Sequence, residues 1–376
     1  MHVTKLEIWR LDLPFHFSFR HALAERNTSD SVVVRVTMSN GVTGYGEGLP
    51  REYVTGETQA SCVAAFERVI APALIGRRLA RIEDVRDPIV SLLDGPAARD
   101  LSAVCAVELA LLHALARGSG RPVSALLGRP PRRSRVRYTL VIPGSGRRAV
   151  KVAAALGRLA GFREIKLKVT KSVEANRALL TDVRGAHPAC DVRVDANCAW
   201  DGEAARDNLR MMEAFGVSAC EQPLVKDDHG GLADLTARFP KIRVIADESL
   251  CSLADAEALI RAKAVRGFNI RLSKHGGLSG SLRIYDLARR HGIACQLGAQ
   301  VGESVILSHF GRIFAATTGD LLHHEGSAGR LLLRHDLTAE WRSFGLSGLA
   351  STDERFAEID ERALTRFGRE PVRISA

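Results

Sequence analysis

At 376 residues, with 46% hydrophobic and 26% charged side chains, the chain has an ordinary folded composition and length enough for two domains or one large barrel with an addition. Its formal charge of +10 is scattered in Arg pairs with acids between them, with no Lys/Arg run, basic aromatic ribbon or nucleic-acid motif, so a basic solvated surface is expected and no nucleic-acid partner. Seven cysteines without CxxC spacing argue against a disulfide framework, and no apolar run approaches the roughly 20 residues that span a bilayer, so a cytoplasmic chain with no membrane partner is expected.

In chain order, residues 1 to 50 read as strands. VTKLEIWRLDLPF and SVVVRVTMSNGVTGYGEG are rich in β-branched residues, and SNG is a hairpin turn signal. From 57 to 127 the pattern is helical, through ETQASCVAAFERVIAPALIG and ARDLSAVCAVELALLHALARGSG, with Gly118 and Gly120 as a stop. Strands followed by helices predict an α+β domain over 1–130, ended by the Pro- and Arg-rich LLGRPPRRSRVR.

The rhythm then changes. VRYTLVI, REIKLKV, DVRVDAN, VSACEQP, RVIADES, GFNIRLSK, IACQLGAQ and DLLHHEG alternate with helical stretches, which predicts parallel βαβ units. Eight such runs between 131 and 330 fit a closed barrel better than an open doubly wound sheet, whose GxGxxG or phosphate loop is missing. Residues 331–376 form a third, C-terminal segment.

Within GFREIKLKVTK a period of two puts Lys166 and Lys168 on one face of a strand that belongs to this buried sheet. Counting onward, Lys168 to Asp195 is 27 residues, Asp195 to Glu221 26, Glu221 to Asp247 26, and Asp247 to Lys274 27. Each closes an apolar run, and this period suits one strand, one helix and two loops. The five residues therefore belong at the C-terminal ends of five consecutive strands, the rim where barrel active sites are built. Three adjacent carboxylates repel unless neutralised, and hard oxygen ligands of this kind suit a divalent cation such as Mg²⁺. Lys168 and Lys274 flank them, so the α-carbon of a metal-bound carboxylate would lie between two lysines.

The ordered set GYGEG, KLK at 166–168, VDAN at 194–197, CEQP at 220–223, ADES at 246–249 and KHGG at 274–277 resembles the enolase superfamily, in particular its muconate-lactonizing subgroup within the mandelate racemase/muconate lactonizing enzyme family. The resemblance implies an α/β fold, a modified (β/α)7β barrel under an N-terminal α+β cap, with 331–376 returning to the cap. It implies Mg²⁺ on Asp195, Glu221 and Asp247, Lys168 and Lys274 as opposed acid/base residues, Lys166 as an electrostatic helper, and Glu303 near the substrate carboxylate. The expected chemistry is abstraction of the α-proton of a small-molecule carboxylate through an enediolate, as a racemase, epimerase or cycloisomerase. A lyase of the o-succinylbenzoate synthase type is the alternative, and an idle barrel used as a binding module is a third reading. Dipeptide epimerases of the family carry DxD at the eighth strand, where this chain has His323 and Glu325. The loops at 18–28 and 48–58 are expected to set specificity, with Arg20, Arg26, Arg51 and Tyr53 meeting the substrate's distal group. A homo-oligomer is expected.

Overall fold

The computed structural model describes residues 1–376 apart from 22, 23 and 145, and for 19–21 and 24 the backbone alone. The first strands are β1 (Val3–Leu11), β2 (Pro14–His21), β3 (Ala24–Thr28), β4 (Ser31–Met38) and β5 (Thr43–Gly48). β1, β4 and β5 pair antiparallel in that order, and the turn after β4 places Gly41 at φ 80°, as the SNG signal requires. The stretch expected as a loop at 18–28 instead contributes to the β2–β3 hairpin, and 48–58 holds one helical turn, Glu52–Thr55.

GYGEG explains how the cap packs. Gly44, Gly46 and Gly48 alternate along β5 and face the helix Leu101–Ser119. A Cβ on them would lie 2.2, 1.9 and 2.0 Å from the carbonyl oxygens of Ala110, Ala106 and Ser102. Sheet and helix thus meet at backbone contact distance, which only glycine permits. That helix is long and apolar enough to cross a membrane by length and composition, against the expectation that no segment comes near it. Here it is the core helix of the cap, and its polar residues are paired: Glu108 accepts from Ser279 N at 2.9 Å, and His113 Nδ1 accepts from Tyr45 N at 3.1 Å.

The barrel strands follow: β6 (Arg135–Arg137), β7 (Leu140–Ile142), β8 (Glu164–Lys168), β9 (Asp191–Asp195), β10 (Val217–Glu221), β11 (Arg243–Ala246), β12 (Gly267–Ile270) and β13 (Ala294–Leu297). β7 to β13 form a parallel sheet in chain order, and a helix follows each, from Arg147–Ala160 to Val305–Thr318. Residues 322–325 close the ring. On one side Leu297 N donates to His323 O and Glu325 N to Leu297 O; on the other Thr139 N donates to His324 O, at 2.9, 2.8 and 2.9 Å. This is the modified (β/α)7β barrel. The run VRYTLVI splits, because β6 turns aside to pair with β14 (Leu349–Ser351) while β7 enters the barrel. β15 (Val372–Ser375) pairs antiparallel with β1, so the C-terminal segment does return to the cap.

Between the glycines, Glu47 points away from the cap helix. It accepts from Ser304 Oγ at 2.7 Å and from the backbone N–H groups of Ser304 and Leu307 at 3.1 Å, at the start of the helix Val305–Thr318. One buried carboxylate thereby satisfies the open N-terminal donors of a barrel helix and ties it to the cap.

Candidate active site

Alternation along β8 sends Glu164, Lys166 and Lys168 into the barrel, and the register sets Lys166 beside Arg193 and Lys168 beside Asp195 of β9. The interior is therefore polar in layers. Lowest, Glu164 Oε2 lies 3.0 Å from His323 Nδ1 and accepts from Thr139 Oγ1 at 2.9 Å. In the middle, Lys166 Nζ is 2.7 Å from Glu221, 3.0 Å from Asp195 and 3.0 Å from Glu325. Arg193 donates to Glu325 at 2.6 Å, while Gln296 and Asn269 donate to the two oxygens of Glu221 at 2.7 and 2.8 Å.

At the rim, Lys168 Nζ donates to Asp195 Oδ2 and Asn197 Oδ1, both at 2.7 Å. Lys274 Nζ donates to Asp247 Oδ1 and to the Asp247 carbonyl, both at 2.7 Å. The five rim residues expected from spacing are thus brought together, with one lysine at each end of the carboxylate row. Lys274 differs from expectation in one respect: β12 ends at Ile270, and Lys274 sits beyond it in the turn Ser273–His275, fully buried. Arg271 occupies the nearer position, bonded to Asp247, 3.6 Å from Glu221 and 3.1 Å from Gln300. Gln222 of CEQP adopts φ 39°, and its side-chain oxygen accepts from the N–H groups of Asp247 and Ser249, fixing the next rim loop.

Burial and neighbouring charge compete throughout. Burial alone would lower the Lys166 pKa, but Asp195, Glu221 and Glu325 outweigh it and hold the ammonium above its ordinary range. Burial likewise pushes Asp195 and Glu325 up; Lys166 and Lys168 win at Asp195, which falls below the usual range, and Lys166 and Arg193 win at Glu325, which falls to about 2. Glu221 goes the other way, to about 7, because burial and the carboxylates of Asp195, Glu325 and Asp247 exceed the pull of Lys166. Glu248 reaches about 7 and Glu303 about 8, burial first and neighbouring carboxylates adding to it.

The donor chemistry fits a hard divalent cation. Asp195, Glu221 and Asp247 offer six oxygens from adjacent strand ends. A surplus of buried carboxyls raises their neighbours' pKa values, and a divalent ion would relieve it. The three do not form a preformed cage among the described residues, since lysine and arginine side chains lie against their oxygens.

A cavity at the mouth is lined by Tyr53, Lys168, Asn197, Glu248, Arg271, Gln300, Glu303 and Glu325, among others. A wider cleft, between the cap helix and residues 352–361, shares none of these residues. Of the expected substrate contacts, Tyr53, Glu303 and Glu325 face the mouth, though Glu325 is already held by Lys166 and Arg193. Three expectations change. Arg51 is buried and donates to the carbonyls of Pro50, Ser29 and Val301 at 2.7, 3.0 and 2.6 Å, clamping the cap to a barrel loop. Arg26 pairs with Asp30 and lies 5.7 Å from the Tyr53 ring centroid, backing that ring. His323 turns down to Glu164. The Arg20 side chain lies outside the described residues. Arg193, Asn197, Glu248, Asn269, Arg271 and Gln296 are site residues that the sequence reading did not assign; the signal for Arg193 and Asn269 is a position two residues before a rim residue on the same strand face.

Residues 3–128 match the mandelate racemase / muconate lactonizing enzyme N-terminal domain, and 148–345 match the enolase C-terminal domain-like family. The chain is 32% identical over 305 residues to an L-Ala-D/L-Glu epimerase of Bacillus subtilis, covering 80% of this chain and 81% of that one. It is 27% identical over 314 residues to an N-succinyl-L-Arg/Lys racemase of Bacillus cereus, covering 82% of each. Its structure superposes on that of a 2-chloromuconate cycloisomerase from Rhodococcus opacus with a TM-score of 0.88 at 27% identity, covering 98% and 100% of the two chains. With both domain models matched across cap and barrel, and the lysines and carboxylates gathered at one rim, the chain belongs to the mandelate racemase / muconate lactonizing enzyme family of the enolase superfamily, as an isomerase built to abstract the α-proton of a carboxylate.

Proposed function

We propose that the protein is a Mg²⁺-dependent racemase or epimerase that moves the α-proton of a small carboxylic acid from one face of the carbon to the other. The observation that carries this is the lysine at each end of the carboxylate row, Lys168 on Asp195 and Lys274 on Asp247. Asp195, Glu221 and Asp247 would hold the metal, which when bound offsets the negative charge that develops on the substrate carboxylate as the C–H bond breaks. Lys168, facing the cavity, takes or returns the proton on one side, and Asn197 fixes its approach. Lys274 serves the other. Lys166, gripped by three carboxylates, stays an ammonium and acts through its field. Tyr53 from the cap and the loop that carries Gln300 and Glu303 shut water out.

The test is a screen of dipeptides, N-acylamino acids, muconates and succinyl compounds with Mg²⁺ in deuterated water. An isomerase exchanges the α-hydrogen and changes no other mass, whereas a lyase sheds part of its substrate. Replacing both Lys168 and Lys274 by Ala should lower exchange by roughly 10²–10⁴-fold or more. Persistent Mg²⁺-dependent exchange in that double variant refutes the assignment.

One observation favours a second reading. Lys168 lines the cavity while Lys274 is fully buried, which suits a one-base cycloisomerisation or elimination with Lys274 as a fixed cation. Single variants decide: in a racemase each lysine governs exchange from a different enantiomer, and in a one-base enzyme Lys168 governs all of it.

A further inference from the structure

The two rim lysines are placed by different means. Lys168 ends β8, its register against Asp195 of β9 is set by the sheet, and its Nζ is bonded to Asp195 and Asn197 of the barrel. Lys274 lies past the end of β12, so the sheet does not fix it. The turn Ser273–His275 that carries it leans on the cap. Ser273 is fully buried, accepts from Leu49 N at 2.7 Å, and has its own proton within reach of both Leu49 O and Ser102 Oγ, each at 3.2 Å. Ser102, in the first turn of the cap helix Leu101–Ser119, donates to Glu57 Oε2 at 3.0 Å.

These bonds form one directed chain, from Leu49 N–H through the hydroxyls of Ser273 and Ser102 to the Glu57 carboxyl. Leu49 and Glu57 stand near the two ends of the cap loop 48–58, and Tyr53 between them lines the mouth cavity. Both ends of the loop that faces the mouth are thus pinned, directly or through Ser102, to the residue beside Lys274. All four members are at most 3% exposed, so no bulk water replaces a lost partner. On the far side of the turn, Glu108 of the same helix accepts from Ser279 N at 2.9 Å, and a Cβ on Gly277 would lie 1.9 Å from Glu108 Oε2. The turn is seated on the cap helix from both sides.

We infer that Ser273 is a positioning residue: its hydroxyl couples the cap loop over the mouth to Lys274, so the cap sets proton transfer on the Lys274 face of the α-carbon and leaves the Lys168 face to the barrel. This rests on the two-lysine reading above and goes beyond it by making the two faces unequal in what controls them.

The experiment measures solvent-deuterium exchange from each enantiomer separately, on the chiral carboxylate that exchanges fastest with the Mg²⁺-loaded enzyme. Lys168→Ala and Lys274→Ala first identify which enantiomer belongs to which lysine. Ser273→Ala, which removes one buried oxygen and adds no bulk, should then slow exchange at the Lys274 enantiomer roughly tenfold or more, while the Lys168 enantiomer stays within about twofold. Racemisation falls with the slower face. Ser102→Ala keeps the bond from Leu49 to Ser273 and breaks only the link to Glu57, so its loss has the same sign and is smaller; the double variant costs no more than Ser273→Ala alone. Equal losses at both enantiomers mark a merely structural hydroxyl and overturn the inference, as does an unchanged rate at the Lys274 enantiomer. Either result leaves the two-lysine reading standing, whereas wild type that exchanges one enantiomer only, or neither, sinks that reading and the inference together. If Ser273→Ala does not fold, Ser102→Ala decides by the same ratio.

Discussion

Glu325 sets the charge balance inside the barrel. It sits 8% exposed with Lys166 at 3.0 Å and Arg193 at 2.6 Å, so removing its charge strands two buried cations that keep only Glu221 and Asp195. Glu325→Gln should cost roughly 3–5 kcal/mol of stability in urea denaturation, the scale for breaking a buried ion pair from one side. A loss within experimental error would show that the layer is held by hydrogen bonds alone. Asp247→Asn acts differently, because Arg271 and Lys274 retain an acceptor there. Its expected effect is on Mg²⁺ affinity, weakened at least tenfold by calorimetry in a folded protein. These residues also mark what the sequence could and could not disclose. Asp195, Glu221 and Asp247 were legible because a polar residue closing an apolar run is a local signal repeated at constant spacing. Arg193, Gln296 and Asn269 read locally as ordinary strand alternation, and only closure of the barrel turns all three onto Glu221 and Glu325. Arg51 and His323 were misplaced for the same reason. Their partners, the carbonyls of Ser29 and Val301 and the carboxylate of Glu164, lie on other elements.

Among elements, β5 against the helix Leu101–Ser119 is the contact with least tolerance. Gly46→Ala would put a methyl 1.9 Å from the Ala106 carbonyl oxygen and 2.4 Å from the Ala110 nitrogen, inside a sheet and a helix that are both buried. Overpacking of this kind costs about 1–3 kcal/mol, and more where both neighbours are backbone. The expected outcome is a lowered melting temperature, with activity per folded molecule kept at 20 °C or below (roughly 2–8 °C per kcal/mol for domains of this range). The barrel units were legible as strand–helix alternation. The β2–β3 pairing was not: Phe15, Phe17 and Phe19 do alternate along β2, but AERNT of β3 is polar and carries no apolar alternation, and the pairing registers Phe19 with Arg26 only in the folded chain.

For the whole molecule, buried acids outside the rim carboxylate row set the response to pH. Glu47, Glu57 and Glu108 are each pushed to about 7, chiefly by burial. Their folded pKa lies above the unfolded value, so the native state binds more protons between them, and stability falls as pH rises from about 4.5 to about 7. Glu325, depressed to about 2, works oppositely: the stability it contributes is present above the unfolded pKa and is lost as pH falls toward 2. Protein stripped of metal by a chelator should therefore melt highest near about pH 5 and progressively lower toward about pH 8. Scanning calorimetry across that range checks this, and Glu57→Gln should flatten the slope. A melting temperature that stays flat from about pH 5 to about pH 8 would show that these carboxyls are already ionised in the fold at pH 5.

The pairing of β1 with β15 has a consequence for how the molecule is made. Lys5 lies opposite Ser375, and Ile8 opposite Val372, so the outer edge of the cap sheet is covered by a strand that is translated only after the whole barrel. Until β15 is made, β1 presents an open row of backbone groups beside Leu6 and Ile8, the kind of edge that invites a strand from another nascent chain. Cap completion thus waits on a strand made after the barrel, which emerges beneath a lid whose margin is still unsealed.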